Sequence, residues 1–270
     1  MRLTVTHTTR YRYDEPVAYG LHELRLIPRT GATQVVEWWD TRIEGGHRQV
    51  RFADHHRNVV ELVRVDAGAT QTDVIASGGV ETSNTAGVVG PDQGHTPRWL
   101  YQRNTALTAP GTNTRRLIRG LDRQADDVET LHRLSALVRD AVDYVPGTTD
   151  VDTPAEAVVD SGSGVCQDHA HVFVTTARLL GFPARYVSGY LFVEDGQEDA
   201  SHGWAEVSVE GLGWVGFDVA NQISPDEHYV RLAVGLDYRE AAPISGVRRG
   251  AGGETLEVDV SVTQSGSAQQ

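Results

Sequence analysis

The stretch Ser161-Gly162-Ser163-Gly164-Val165-Cys166-Gln167-Asp168-His169-Ala170-His171 constrains the fold most. Small, flexible residues lead into it. An apolar pattern at helical spacing follows through Val172, Val174, Ala177, Leu179 and Leu180, and Gly181 and Pro183 end it. The pattern predicts a loop feeding a helix, with Cys166, the only cysteine of the chain, at or near the helix N-terminus. Unpaired backbone N–H groups and the positive end of the helix dipole favour a thiolate at such a position. A lone cysteine is more often a small buried hydrophobe than a nucleophile. Catalysis therefore requires a base partner for the sulfur and a group to orient that partner.

Two downstream segments supply those residue types. Ser201-His202-Gly203-Trp204-Ala205-Glu206-Val207 reads as a strand carrying a histidine. Gly213-Trp214-Val215-Gly216-Phe217-Asp218 reads as its hairpin partner carrying an aspartate. Facing residues of an antiparallel hairpin have a constant index sum. An even sum puts His202 and Asp218 on one face, and an odd sum separates them. A three-residue loop near Leu212 gives the even sum, but the residues alone allow either register.

The runs GVCQDHAHVF, GFPARYVSGYL, SHGWAEV and GLGWVGFD resemble the bacterial branch of the transglutaminase-like superfamily. The resemblance is close from Thr153 to Asp218 and looser to both sides. It implies a papain-like triad of Cys166, His202 and Asp218 on a helix packed against a small antiparallel sheet. The sequence departs from the family pattern at Val219-Ala220-Asn221, where Pro and Thr often precede the Asn, and at Gly203, where alanine is more usual. Both departures bear on the substrate-side loops and neither removes a triad member.

The remainder of the chain reads as scaffold. From Leu3 to about Glu81, short alternating segments separated by Gly45-Gly46 and Asp66-Ala67-Gly68 predict a β-sandwich-like region. This region resembles the N-terminal β region of bacterial transglutaminase-like proteins. His55-His56 reads as an exposed turn pair. The Gly-, Ser-, Thr- and Asn-rich residues 82–94 read as a linker. The expected division is an N-terminal β region over 1–90 and a catalytic core over 91–270, with the strands near 229–234 and 256–262 closing the core. Trp99 and Tyr101 read as packing residues. Asp126 with Glu129 predicts a capping box for an apolar-faced helix running to about Tyr144, and Thr153 with Glu156 predicts a second box. Ser161 to Gly164 lacks the Lys-Ser/Thr ending of a phosphate loop. Asp168, His169 and His171 do not make a structural zinc site with one cysteine, so His169 and His171 are expected to support the helix by hydrogen bonding.

The whole is an α+β fold with an N-terminal β-sandwich-like region and a papain-like core. The 270 residues suffice for one large domain or two small ones. A net charge of −13, from 37 acidic and 24 basic residues, argues against a nucleic-acid partner. One cysteine forbids an intramolecular disulfide and fits a reducing compartment. With no apolar run long enough for a leader or a membrane span, a cytoplasmic protein without a membrane partner is expected. The oligomeric state is not legible. The expected activity is cysteine-dependent acyl transfer on an amide of a protein or peptide substrate, leaning to hydrolysis, with no metal or organic cofactor implied. The alternatives are a cross-linking transglutaminase and a non-catalytic binding module that retains the triad.

Overall fold

Alternation of apolar and polar residues carries the first 82 residues into strands. The computed structural model describes residues 1–91, 94–121, 126–194 and 201–264. Its first six strands are β1 (Arg2–Tyr13), β2 (Tyr19–Ile27), β3 (Gln34–Glu44), β4 (Gly46–Ala53), β5 (Val59–Val65) and β6 (Gln71–Thr82). A short β7 (Val88–Gly90) follows. Along β1, Leu3 and Val5 are buried while Thr4 and Thr6 are only half-buried, as one face of a sheet requires.

The helical part comprises a 3-10 turn (Arg98–Gln102), α1 (Thr112–Leu117), α2 (Asp127–Ala141), α3 (Ala155–Ser161) and α4 (Cys166–Leu179). Two-residue strands β8 (Asp143–Tyr144) and β9 (Ser163–Gly164) pair in parallel between them. The chain then forms β10 (Ala184–Leu191), β11 (Ser201–Val209), β12 (Gly213–Phe217), β13 (Tyr229–Gly235), α5 (Tyr238–Ala241), β14 (Ile244–Arg249) and β15 (Glu254–Gln264).

Three antiparallel sheets result, in the orders β15-β1-β6-β3, β14-β2-β5-β4 and β13-β10-β11-β12-β7. The last is the central sheet, and α4 lies on it. Phe173, Val174 and Ala177 of α4 pack with Ala205, Val207, Val215 and Phe217 of the strands, all buried. Burying one large apolar side chain stabilises by about 1.5–3 kcal/mol, and this layer holds the cysteine helix against the histidine strand.

A division at residue 90 does not describe the strand pairing. β15 runs along β1 from Leu3↔Gln264 to Tyr13↔Glu254, and β14 runs along β2. Residues 244–264 therefore belong to the N-terminal sheets and do not close the central sheet. The cause is the open backbone edge of β1, together with Val260 and Val262, which reach the same core as Leu3 and Val5. That core also takes in Tyr190, Val230 and Leu232 of the central sheet. In the opposite direction, β7, inside the expected linker, pairs with β12.

Several local expectations are corrected. Asp126 caps α2 through Val128 N and Glu129 N, as its spacing predicts, but the helix ends at Ala141. Residues past it turn to pair with the Gly-Ser segment, where Val145 N donates to Gly164 O at 2.9 Å. Glu156 does not cap its own helix. Its carboxylate accepts from Gly111 N, Asn113 N and Thr114 N at the open start of α1. Trp99 is 62% exposed, whereas Tyr101 is buried. His56 is buried too, with Tyr101 Oη at 3.0 Å and Glu240 at 2.8 Å from its ring nitrogens. Among the described residues, no helix is long and apolar enough to cross a membrane.

Candidate active site

The start of α4 is built from its own first turn. Val165 is the N-cap and offers no side-chain oxygen. Asp168 compensates by turning back, so that its Oδ2 accepts from Val165 N at 2.7 Å and from Thr149 Oγ1 at 2.6 Å. Burial raises the Asp168 pKa, against those hydrogen bonds and nearby His169. The turn back requires Gly164, because a Cβ there would lie 2.6 Å from the Asp168 Cβ. Cys166 is the first residue of the helix and is partly exposed.

His169 and His171 bind backbone. The two ring nitrogens of His169 face the carbonyls of Val165 and Val142 at 2.8 and 2.9 Å. His171 Nε2 accepts from Tyr238 N at 3.0 Å, and burial lowers its pKa to about 3, which keeps it neutral. Both tie α4 to its neighbours.

The hairpin register is Ala205↔Phe217, an even sum. It carries His202 and Asp218 onto one face, and His202 Nε2 stands 2.7 Å from Asp218 Oδ2. With Nε2–H donated to the carboxylate, Nδ1 is left for the sulfur. Asp218 is 1% exposed. Its Oδ2 also accepts from Tyr229 Oη at 2.6 Å and Asn221 Nδ2 at 2.7 Å, and its Oδ1 accepts from Asn221 N at 3.2 Å. Tyr229 and Asn221 are thus part of the site, and the expectations from sequence did not include them.

The electrostatics favour a charged pair. Burial opposes the imidazolium of His202, but hydrogen bonds to Asp218 and Cys166 and their negative charges outweigh it, raising the pKa to about 10. Asp218 is lowered: burial pushes its pKa up, and the hydrogen bond and charge of His202, with the Tyr229 and Asn221 donors, more than reverse that. The folded His202 pKa lies above its ordinary value of 6.5. The stability it contributes is therefore complete below that value and is lost as pH rises through about 10. An NMR titration of the His202 ring is expected to show a midpoint near pH 10. In Asp218→Asn the midpoint is expected to fall by about one to three units. An unshifted midpoint would mean that another group holds the proton.

Cys166 and His202 line one cleft of about 270 Å³ with Gln167, Tyr186 and Gly203. Its far wall comes from the N-terminal β region: His7, Thr9 and Tyr11 of β1, and Leu256 and Val258 of β15. This contribution was missed because alternation identifies a strand but not its partner. Gly203, where the family more often has alanine, has a steric cause. A Cβ there would sit 2.2 Å from Tyr186 Oη and 2.9 Å from its Cζ. Gly203→Ala is expected to displace the buried phenol, to cost about 1–3 kcal/mol in overpacking, and to slow turnover because that phenol lines the cleft. Thermal unfolding with steady-state assay checks both, and unchanged values in both would refute the steric reading. Of the side-chain donors next to Cys166, Gln167 lines the cleft but gives its amide to Val151 O at 3.1 Å, and Tyr144 stacks near His169.

Two groups among the described residues bring metal-ligating atoms together: His55, His56 and Glu240, and Asp226, Glu227 and His228. In each, a histidine and a carboxylate already bond to one another, at 2.8 and 2.9 Å. Neither includes Cys166, His202 or Asp218.

Residues 115–219 match the family model of the transglutaminase-like superfamily, and residues 3–81 match that of the bacterial transglutaminase-like N-terminal region. An uncharacterized protein of Mycobacterium leprae is 29% identical over 282 aligned residues, covering 97% of this chain and 99% of its own length. A protein-glutamine gamma-glutamyltransferase of Pseudomonas aeruginosa is 30% identical over 118 residues, which are 38% of this chain and 17% of that protein. The solved structure of a candidate cysteine protease from Cytophaga hutchinsonii superposes with a TM-score of 0.80 at 16% identity, covering 100% of this chain and 92% of the other. At that identity the likeness is one of fold.

Proposed function

We infer, from the premise that the chain belongs to the transglutaminase-like superfamily, that it is a cysteine enzyme acting on an amide bond of a protein or peptide. The observation that carries this reading is the His202–Asp218 hydrogen bond in the cleft that also holds Cys166. The Cys166 thiolate attacks the acyl carbon to form the S–C bond. As the C–N bond breaks, His202 gives its proton to the leaving amine, and a thioester remains. Water then attacks the thioester, His202 takes its proton, and the acid departs with the thiolate restored. Asp218 holds the imidazole in orientation and stabilises its charge. Cys166 N–H and Gln167 N–H open α4 ahead of any carbonyl of its own helix and suit the oxyanion, whereas Asp168 N is already given to Val165 O.

Hydrolysis is the favoured outcome for the thioester. Among the described residues lining the cleft there is no carboxylate to attract a cationic amine. The acidic stretch from Glu194 to Asp199 reads from its sequence more as a solvated turn than as an amine site, and beyond Glu194 it lies outside the described residues. Amine transfer is the second reading, and the name of the Pseudomonas aeruginosa relative favours it. The test is to trap acyl-enzyme from a mixed set of peptides and glutamine-containing proteins, then chase with water or a labelled primary amine. Mass spectrometry reads the partition. Release of free acid indifferent to millimolar amine supports hydrolysis, and dominant amine incorporation overturns it.

A further inference from the structure

The cleft wall has a composition unlike the rest of the chain. Charged residues make up 23% of the sequence, yet none of the described residues lining this cleft is Asp, Glu, Lys or Arg. Its second histidine, His7, carries no charge near neutral pH, since burial lowers its pKa to about 4.

The apolar part of the wall is a sheet face that outruns its own core. On β15, Val260 is 7% exposed and belongs to the core, but Val258 and Leu256, on the same face, are 47% and 53% exposed. On β1 they lie directly opposite Thr9 and Tyr11. Neighbouring exposed aliphatic side chains on one sheet face can mark a ligand-binding groove, and these two line the cleft that holds Cys166. Tyr186 and Tyr238 add aromatic surface to the same cleft.

We propose that this wall receives the acyl side of the substrate, and that the preferred substrate is an extended peptide with an apolar or aromatic side chain beside the reacting carbonyl. The cleft volume of about 270 Å³ stands near the lower end of the roughly 300–1,000 Å³ typical of ligand pockets. That is room for one large side chain and its flanking backbone. A charged side chain would lose water there, and the charges among the described lining residues are those of the Cys166–His202 pair, which already offset one another. The inference rests on Cys166 being the acylated nucleophile.

The experiment measures inactivation of the full chain by capped dipeptidyl chloromethyl ketones ending in phenylalanine, leucine, aspartate or lysine. Each rate is divided by the rate with iodoacetamide, which reports the thiol alone. The apolar probes are expected to exceed the charged ones by at least about tenfold, the range that pocket contacts of this kind supply. In Leu256→Asp that advantage over the lysine probe is expected to shrink or invert. Equal normalised rates for all four probes, with Cys166 alkylating readily, would overturn the specificity inference and leave the proposed chemistry standing. A Cys166 that resists iodoacetamide as well as every probe would overturn the chemistry, and the inference with it.

Discussion

Cys166→Ser is expected to leave the fold intact and to abolish turnover. The change replaces one sulfur by oxygen at the first position of α4, a partly exposed site whose backbone is capped by Asp168 rather than by the thiol. Serine is well accepted at helix starts, so the melting curve is expected to stay close to that of the parent. The chemistry does not survive, because a hydroxyl beside His202 stays protonated where a thiol ionises. Activity and thermal melting on one preparation check both halves. More than a few per cent residual turnover, free of contaminating enzyme, would remove Cys166 from the nucleophile's role.

The second large effect is expected from Asp218→Asn. Three donors converge on Asp218 Oδ2: the His202 ring, Tyr229 Oη and Asn221 Nδ2. An asparagine keeps one acceptor oxygen and adds an NH₂ group. With the amide oxygen at the Oδ2 position the three donors are kept but the NH₂ meets the Asn221 N–H at the Oδ1 position, and with the NH₂ at the Oδ2 position it meets three donors. In either placement the neutral amide removes the imidazolium's counter-charge, which weakens the partner of the thiolate. Turnover is expected to drop by up to roughly ten-thousandfold, the loss that the equivalent substitution causes in a Ser-His-Asp triad. Stability also changes with a definite sign. The lowered pKa of Asp218 contributes stability present above its ordinary value and lost as pH falls through the folded value. The variant is expected to lack that acid limb. An unchanged rate with an unchanged unfolding profile would assign the orienting role to another carboxylate.

Cys166, His202 and Asp218 stood out as candidates because each carries a local signal: a glycine-serine entry and a helix for Cys166, and alternating strands around a short turn for His202 and Asp218. The register between those strands was not legible. Parity depends on turn geometry, and the observed Val209↔Gly213 closure settles it. Contacts across long sequence separations were also hidden. Tyr229 reaches Asp218 from the next strand, and the fit of Gly203 around Tyr186 exists only once β10 and β11 pair. The far wall of the cleft is the extreme case. β1 and β15 meet from opposite ends of the chain, and an alternating pattern states that a strand has a buried face without naming the edge it joins. Glu156 shows the same limit at short range. Its spacing fits a box on its own helix, but three open N–H groups of α1 attract it more strongly.

The dependence of the thiol on His202 is the most direct test of the site. Alkylation of Cys166 by iodoacetamide at neutral pH, followed by mass spectrometry in the parent and in His202→Ala, measures it. Fast modification in the parent and a large loss of rate in the variant are expected, because the His202 imidazolium is the counter-charge of the sulfur in the proposed ion pair. A sluggish thiol in the parent, with the same rate in His202→Ala, would contradict the ion pair and with it the assignment of this cleft to catalysis.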